Sequence, residues 1–329
     1  MPRKPADVVG FVVARVAAAA AAILIVFVVA GFFLAHQASG PAASWATSSG
    51  HDGLWLGPGD VAGRPAARTQ LAARIRASGV ADVYVPAGPV SAGQVSATGE
   101  LTPPPGTASF VSWFRRTFPH IQVCAWLTGT VGRGHLDLDD GATQQALVAT
   151  SRSMLRAGFT GISYDLAPVA SGDAGLLTVL DQTRALHPAV LSVDTPKLEP
   201  LTGMGLPAAL VMRHPVFWTS AYLGQVASRV SQVAVLGFDT GMPLSSWYSG
   251  YVKRETSVAL HAVPASVGLV IAAPANGGSD ESVAATIHGA RVALTATGRR
   301  QALFGVGLYT AGTATASDWA AYQADWVHG

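Results

Sequence analysis

Short apolar runs rich in strand-forming residues alternate along most of this chain with segments whose apolar positions recur every three to four residues. The runs Leu54–Leu56, Val83–Val85, Ile121–Leu127, Gly161–Asp165, Val190–Asp194, Val233–Phe238, Gly268–Ala272 and Leu303–Tyr309 predict strands. Between and after them, Pro65–Ala77, Thr107–Phe118, Thr143–Ala157, Gly172–Leu186, Tyr222–Val230, Ser245–His261, Glu281–Ala296 and Ser317–Val327 predict helices. Eight strand–helix units in roughly 275 residues predict an α/β fold, one closed parallel (β/α)8 TIM barrel. An open doubly wound sheet is the alternative, but it offers no reason for the units to stop at eight.

The N-terminus breaks this rhythm. An uncharged apolar run from Val16 to Ala35 follows Arg3, Lys4 and Arg15. As a helix it would be about 30 Å long, the thickness of a bilayer's hydrocarbon core, which predicts one transmembrane helix acting as a signal-anchor. A cleaved signal peptide is the rival, with Ala35-His36-Gln37-Ala38-Ser39 as its candidate cleavage site. The positive flank places the N-terminus in the cytoplasm and the rest outside it, so the expected location is the cell membrane, single-pass. The expected organisation is a cytoplasmic N-terminus over 1–15, the anchor over 16–35, a flexible linker over 36–52 rich in Ser, Gly, Ala and Thr, and the barrel over 53–329.

Composition narrows the partners. Half of the residues are hydrophobic and 12% are charged, enough apolar material for one large core. A formal charge of +2, with basic residues paired only in places such as Arg115-Arg116 and Arg299-Arg300, gives no dense basic face. Nucleic acid is therefore not an expected partner. The single cysteine, Cys124, excludes an intramolecular disulfide and lies in a strand pattern, where it reads as a small buried hydrophobe.

Strand alternation assigns faces to the candidate residues. Gly161, Ser163 and Asp165 share the face toward the barrel axis, while Ile162 and Tyr164 face the helices. The same phase groups Ser192 with Asp194, Val235 and Gly237 with Asp239, and Gly305 and Gly307 with Tyr309. Small residues thus lead to a polar one at the C-terminal strand ends, where barrel sites lie, and the small interior predicts room for a ligand beneath Asp165, Asp194 and Asp239. The plainer reading of such carboxylates is that they cap loops or helices. Trp55, Tyr84 and Trp126, at or near the ends of strands one to three, and Tyr309, ending strand eight, offer aromatic faces suited to sugars, although barrel cores also hold aromatics.

Other clusters carry less chemistry. His135-Leu136-Asp137-Leu138-Asp139-Asp140 fits neither a zinc pattern nor a calcium loop, and Asp140 reads as a helix cap; no metal and no cofactor are expected. Ser245 and Ser246 open a helix without a G-x-S-x-G elbow around them. Gly57-Pro58-Gly59 and Asn276-Gly277-Gly278 lack the Lys-Ser or Lys-Thr of a phosphate loop and read as turns.

The run Gly161-Ile162-Ser163-Tyr164-Asp165-Leu166-Ala167-Pro168 resembles the fourth-strand motif D-G-x-D-x-D-x-E of glycoside hydrolase family 18. Val235-Leu236-Gly237-Phe238-Asp239 resembles that family's sixth-strand M-x-Y-D element. Thr195-Pro196-Lys197, and Gly305-Val306-Gly307-Leu308-Tyr309 with Trp319 and Trp326, also look like bacterial barrels of that kind. The resemblance implies that Asp165 orients a substrate N-acetyl group and that Asp239 contacts the sugar beside it. Thr160 and Ser163 stand where the family has aspartates, and Ala167 stands where it has the catalytic glutamate. Alanine has no proton to give the departing oxygen, an absence that typically removes a factor of about 10²–10⁴ in rate. Asp194 or Glu199 is the candidate for supplying a proton from another direction.

The expected protein is a membrane-anchored, extracytoplasmic, hydrolase-like barrel that binds a polysaccharide or cell-wall glycan with little or no catalysis. Asp165, Asp194 and Asp239 are the candidate catalytic carboxylates, and Trp126, Tyr309, Ser163, Trp55 and Lys197 the candidate sugar contacts. The alternatives are an active glycosidase with relocated carboxylates and a structural or partner-binding envelope protein.

Overall fold

A computed structural model describes residues 28–63, 65–90, 104–199, 217–275, 280–309 and 313–329, with Arg15, Ala17, Ala18 and Ala21 upstream. In chain order its elements are β1 (Asp52–Trp55), α1 (Pro58–Val61), α2 (Pro65–Arg76), β2 (Val80–Val90), α3 (Thr107–Thr117), β3 (Gln122–Thr130), α4 (Gly141–Arg156) and β4 (Gly161–Ala167). They continue with α5 (Ala174–Arg184), β5 (Val190–Thr195), α6 (Ser220–Ala227), β6 (Gln232–Val235), α7 (Ser245–Ala262), β7 (Gly268–Pro274), α8 (Val283–Thr297), β8 (Phe304–Tyr309) and α9 (Ala316–Ala321), which ends in a π-helical turn (Tyr322–Val327). The strands form a closed barrel in sequence order, and β8 pairs in parallel with β1.

Local chemistry explains the boundaries. The side chains of Asp140, Asp173, Thr219, Ser282 and Thr315 accept backbone N–H bonds at the starts of α4, α5, α6, α8 and α9, satisfying donors that a helix leaves open. Asp140 thus has the capping role expected for it, and its accepted N–H bonds hold its carboxyl below the usual range. β6 stops at Val235, short of the expected Phe238. Beyond it the buried Glu255 carboxyl occupies the space where a Gly237 side chain would lie, and Asp239 turns into the left-handed region at φ 57°. β2 runs on to Val90, with its register broken between Pro86 and Pro89, where proline removes ladder donors.

One apolar layer lies between strands and helices, and a second fills the lumen. The lumen cluster holds Trp55, Tyr84, Cys124, Trp126, Ala234, Val270 and Ala272. Trp55 stacks on Tyr84 with ring centroids 4.2 Å apart, and both are fully buried. Two interior glycines serve these rings: a Cβ would lie 2.5 Å from the Trp55 ring at Gly307 and 3.0 Å from it at Gly53. Of the small residues expected to leave room for a ligand, Gly307 instead leaves room for Trp55, and Gly161 for Cys124. Lower in the lumen, Tyr84 Oη donates to Gln232, whose Nε2 donates to Asp82 at 2.8 Å.

At the pole opposite the C-terminal strand ends, the buried Asp52 gathers four donors. Ser48 Oγ and Tyr322 Oη each lie 2.6 Å away, Trp326 Nε1 2.8 Å and the Val306 N–H 3.0 Å. One carboxylate thereby ties together β1, β8, the C-terminal turn and the segment preceding the barrel. That segment departs from the expected flexible linker. Residues 28–38 are helical, the Ala43 N–H donates to Thr295 Oγ1 at 2.8 Å, and Ala46 is fully buried. Its small residues permit this close seating against α7 and α8. Much of the apolar run from Val16 lies outside the described residues, and among the described residues no helix is long and apolar enough to cross a membrane.

Candidate functional site

β4 and β5 bring the two central carboxylates together. Tyr164 points outward, bonding Ser151 at 2.7 Å and Thr183 at 2.9 Å in the helix layer, which fixes Ser163 and Asp165 on the inward face. Ser163 Oγ donates to Asp194 Oδ1 at 3.1 Å across the β4–β5 pair, and Trp55 Nε1 donates to Asp194 Oδ2 at 3.1 Å. Asp165, one layer higher and partly exposed, accepts from Tyr309 Oη at 3.4 Å. The buried indole N–H of Trp126 lies close enough to both carboxyls to favour their charged forms, without full bonding geometry to either.

Burial dominates the electrostatics of this pair. It pushes the Asp194 carboxyl well above the usual range, and the neighbouring Asp165 charge pushes it further. Burial also raises Asp165, against the bonds from Tyr309 and the nearby Trp126. The upward push is greater on Asp194, the deeper of the two.

The aromatic residues divide by depth. Trp126 is 9% exposed and meets Tyr309 edge-on at 5.5 Å, and Phe238 lies 4.9 Å from Tyr309. Trp126 and Tyr309 stand beside Asp165, with Phe238 behind Tyr309. Trp55 and Tyr84 do not reach the rim: both are sealed beneath it, and the role of Trp55 is to hold Asp194. Ser163 is buried for the same purpose.

The sixth-strand candidate lies on the loop after β6, near enough to Tyr309 for its charge to act on that phenol. Asp239 is exposed on the turn after β6, where its backbone carbonyl accepts from Lys197 Nζ at 2.6 Å. Lys197 therefore cross-links the loops after β5 and β6. Glu281 fastens the second loop from the other side, accepting the Thr240 N–H at 2.8 Å and the Met242 N–H at 3.3 Å. Ala167, at the end of β4, is exposed and precedes a cis bond to Pro168. Among the described residues no cluster of His, Cys, Asp and Glu has the arrangement of a metal site.

Sequence reasoning missed Glu255. It sits fully buried on α7, its Oε1 accepting the Leu198 N–H at 2.6 Å and Tyr251 Oη at 3.2 Å, while Oε2 is unpartnered. Burial raises its carboxyl to about 7. Nothing in Lys253-Arg254-Glu255-Thr256, which reads as an exposed polar stretch, signals this position. Asp82 and Gln232 were more accessible to sequence reasoning, since alternation places Asp82 in phase with Tyr84.

The strands form a closed parallel barrel with a carboxyl pair at the C-terminal end of its lumen, and solved structures show the same fold. The spore cortex-lytic enzyme SleL of Bacillus megaterium QM B1551 aligns over 84% of this chain and 74% of its own, at 11% identity and a TM-score of 0.58. A class V chitinase mutant from Cycas revoluta in complex with (GlcNAc)3 aligns over 84% of this chain and 99% of its own, at 13% identity and a TM-score of 0.54. A xylanase-alpha-amylase inhibitor protein, XAIP-I, in complex with trehalose aligns over 84% and 97%, at 12% identity and a TM-score of 0.50. At these identities the likeness is one of fold, a barrel like those of glycoside hydrolase family 18. No family model and no curated protein matches the sequence.

Proposed function

We propose that this protein is a membrane-anchored, extracytoplasmic, glycan-binding barrel with little or no hydrolytic activity. The observation that carries the reading is the division of labour between the carboxyls. Asp165 stands at the mouth beside Trp126 and Tyr309, whereas Asp194 is 3% exposed and held from both sides by Trp55 and Ser163. A general acid must come within hydrogen-bonding reach of the oxygen it protonates. Asp194, whose carboxyl burial pushes well above the usual range, is sealed, and Ala167, at the end of the strand that carries Asp165, supplies no carboxyl. A sugar N-acetyl group can still hydrogen-bond Asp165 and lie against Trp126, as aromatic faces do with the C–H faces of sugars. Among the structural neighbours, chitinases bind GlcNAc oligomers, and one barrel is an inhibitor protein bound to trehalose, so the fold accommodates both sugar cleavage and non-enzymatic roles. The apolar run from Val16 to Ala35, with its positive flank, supports the anchor.

A panel of β-linked, N-acetylated oligosaccharides tests the reading by calorimetry and product analysis. Weak binding without turnover is expected, and Asp165→Ala should weaken binding by about 1–3 kcal/mol, the cost of leaving a buried partner unsatisfied. Ala167→Glu, which places a carboxyl in phase with Asp165, should gain weak hydrolysis. Efficient hydrolysis by the unmutated chain, abolished by Asp194→Asn, would establish instead a glycosidase whose acid has moved to β5.

A further inference from the structure

The segment that leads into the barrel enters it from the rim that carries Asp165. Its contacts advance in step with α7 and α8, both of which run from that rim toward the opposite pole. A Cβ at Gly31 would lie 2.0 Å from the Trp247 ring, and one at Gly250 would lie 1.9 Å from the Leu34 carbonyl oxygen. Lys253 Nζ donates to Gln37, the Ala38 carbonyl oxygen lies 2.8 Å from His288 Nε2, and a Cβ at Gly40 would lie 2.9 Å from Val292. The Ala43 N–H reaches Thr295, and Ser48 reaches Asp52 at the far pole. The helix over 28–38 is therefore parallel to α7, with its upstream end beside the first turn of α7 at the C-terminal rim.

That corner of the rim is apolar and open. Val28 is 40% exposed, Val29 63%, Phe32 73%, Phe33 40% and Leu244, immediately before α7, 49%. The patch is continuous with the uncharged run that begins at Val16. As a helix, the part of the run upstream of Gly31 would be about 22 Å long, short of the roughly 30 Å of a hydrocarbon core. The shortfall is about 8 Å, which the following residues, already alongside α7, would have to fill. Apolar side chains at this corner are what partial immersion at the headgroup boundary requires.

We infer that the C-terminal rim of the barrel faces the bilayer, with Val28, Val29, Phe32, Phe33 and Leu244 forming the collar that meets lipid. The inference rests on the anchor reading above and adds an orientation to it. The seated helix holds the barrel at a fixed attitude, and Asp165 opens toward the membrane surface. A ligand reaching Asp165 enters through the layer next to the headgroups, so its class is a glycan carried by a lipid or a polymer held close to the bilayer.

The test uses the full chain in phosphatidylcholine–phosphatidylglycerol vesicles. Cys124 is buried, so a cysteine introduced at one exposed position carries a fluorophore alone. Phe32→Cys, Leu244→Cys and Ala265→Cys, the last at the far pole, are compared with a lipid-borne nitroxide as quencher. Positions 32 and 244 should lose most of their fluorescence and position 265 should lose none. A chain that floats with the vesicles but shows position 244 as unquenched as position 265 would overturn the orientation and leave the anchor standing. A chain that does not float with the vesicles would overturn the anchor, and the orientation with it.

Discussion

Glu255 shows how one buried carboxyl makes stability depend on pH. Its folded-state value of about 7 lies above the ordinary 4.5, so the folded protein binds the proton more tightly than the unfolded chain does. The associated stability is fully present below about pH 4.5 and is lost as pH rises through 7. The gap between those values corresponds to about 3 kcal/mol. Glu255→Gln keeps an acceptor for the Leu198 N–H and removes the titration. Its stability advantage in urea unfolding should therefore grow from under about 1 kcal/mol at pH 5 to about 3 kcal/mol at pH 8. A constant difference across that range would mean that Glu255 is charged when folded. Asp194, raised by burial in the same sense, should behave similarly on conversion to Asn, because Ser163 can donate or accept.

Among the elements, the sequence pattern made the strands and helices legible because each strand's alternation and each helix's cap are local signals. The unit count, the inward phase of Ser163 and Asp165, and the Asp140 cap all follow from such signals. The depth of a side chain in the lumen does not, since Trp55 and Trp126 have the same local pattern. It depends on how far each strand rises relative to its neighbours, and β2 and β3 extend beyond Tyr84 and Trp126 to Val90 and Thr130. Interior glycine was ambiguous for the same reason, as space for a ligand and space for a distant ring look identical along the chain. Gly307→Ala distinguishes them. Its Cβ would lie 2.5 Å from the Trp55 ring, so the substitution should cost about 1–3 kcal/mol as overpacking. Combined with Trp55→Phe, which shrinks the ring, its cost should fall, and a double-mutant cycle in denaturant reads the coupling. Strict additivity would show that Gly307 and Trp55 do not compete for the same space.

For the whole molecule, barrel closure and the proposed ligand site occupy opposite poles. Asp52 joins the entering segment, β1, β8 and the C-terminal turn at one pole, whereas Asp165, Trp126 and Tyr309 stand at the other. A fragment beginning at His51 lacks the Ser48 bond to Asp52, the Ala43 bond to Thr295, buried Ala46 and Trp45 beneath Arg300, whose guanidinium lies 4.9 Å from its ring. Losing one donor to a buried carboxyl costs about 1–3 kcal/mol, and melting temperatures move by about 2–4 °C per kcal/mol in domains of 150–250 residues. The His51 fragment should therefore melt several degrees below one beginning at Gln37, with Ser48→Ala in the longer fragment reproducing part of the loss. Because the missing contacts lie far from Asp165, glycan affinity measured well below both melting transitions should be unchanged. Equal melting temperatures would show that the segment only rests on the barrel, whereas a parallel loss of affinity would show that the entering segment shapes the mouth as well as the base.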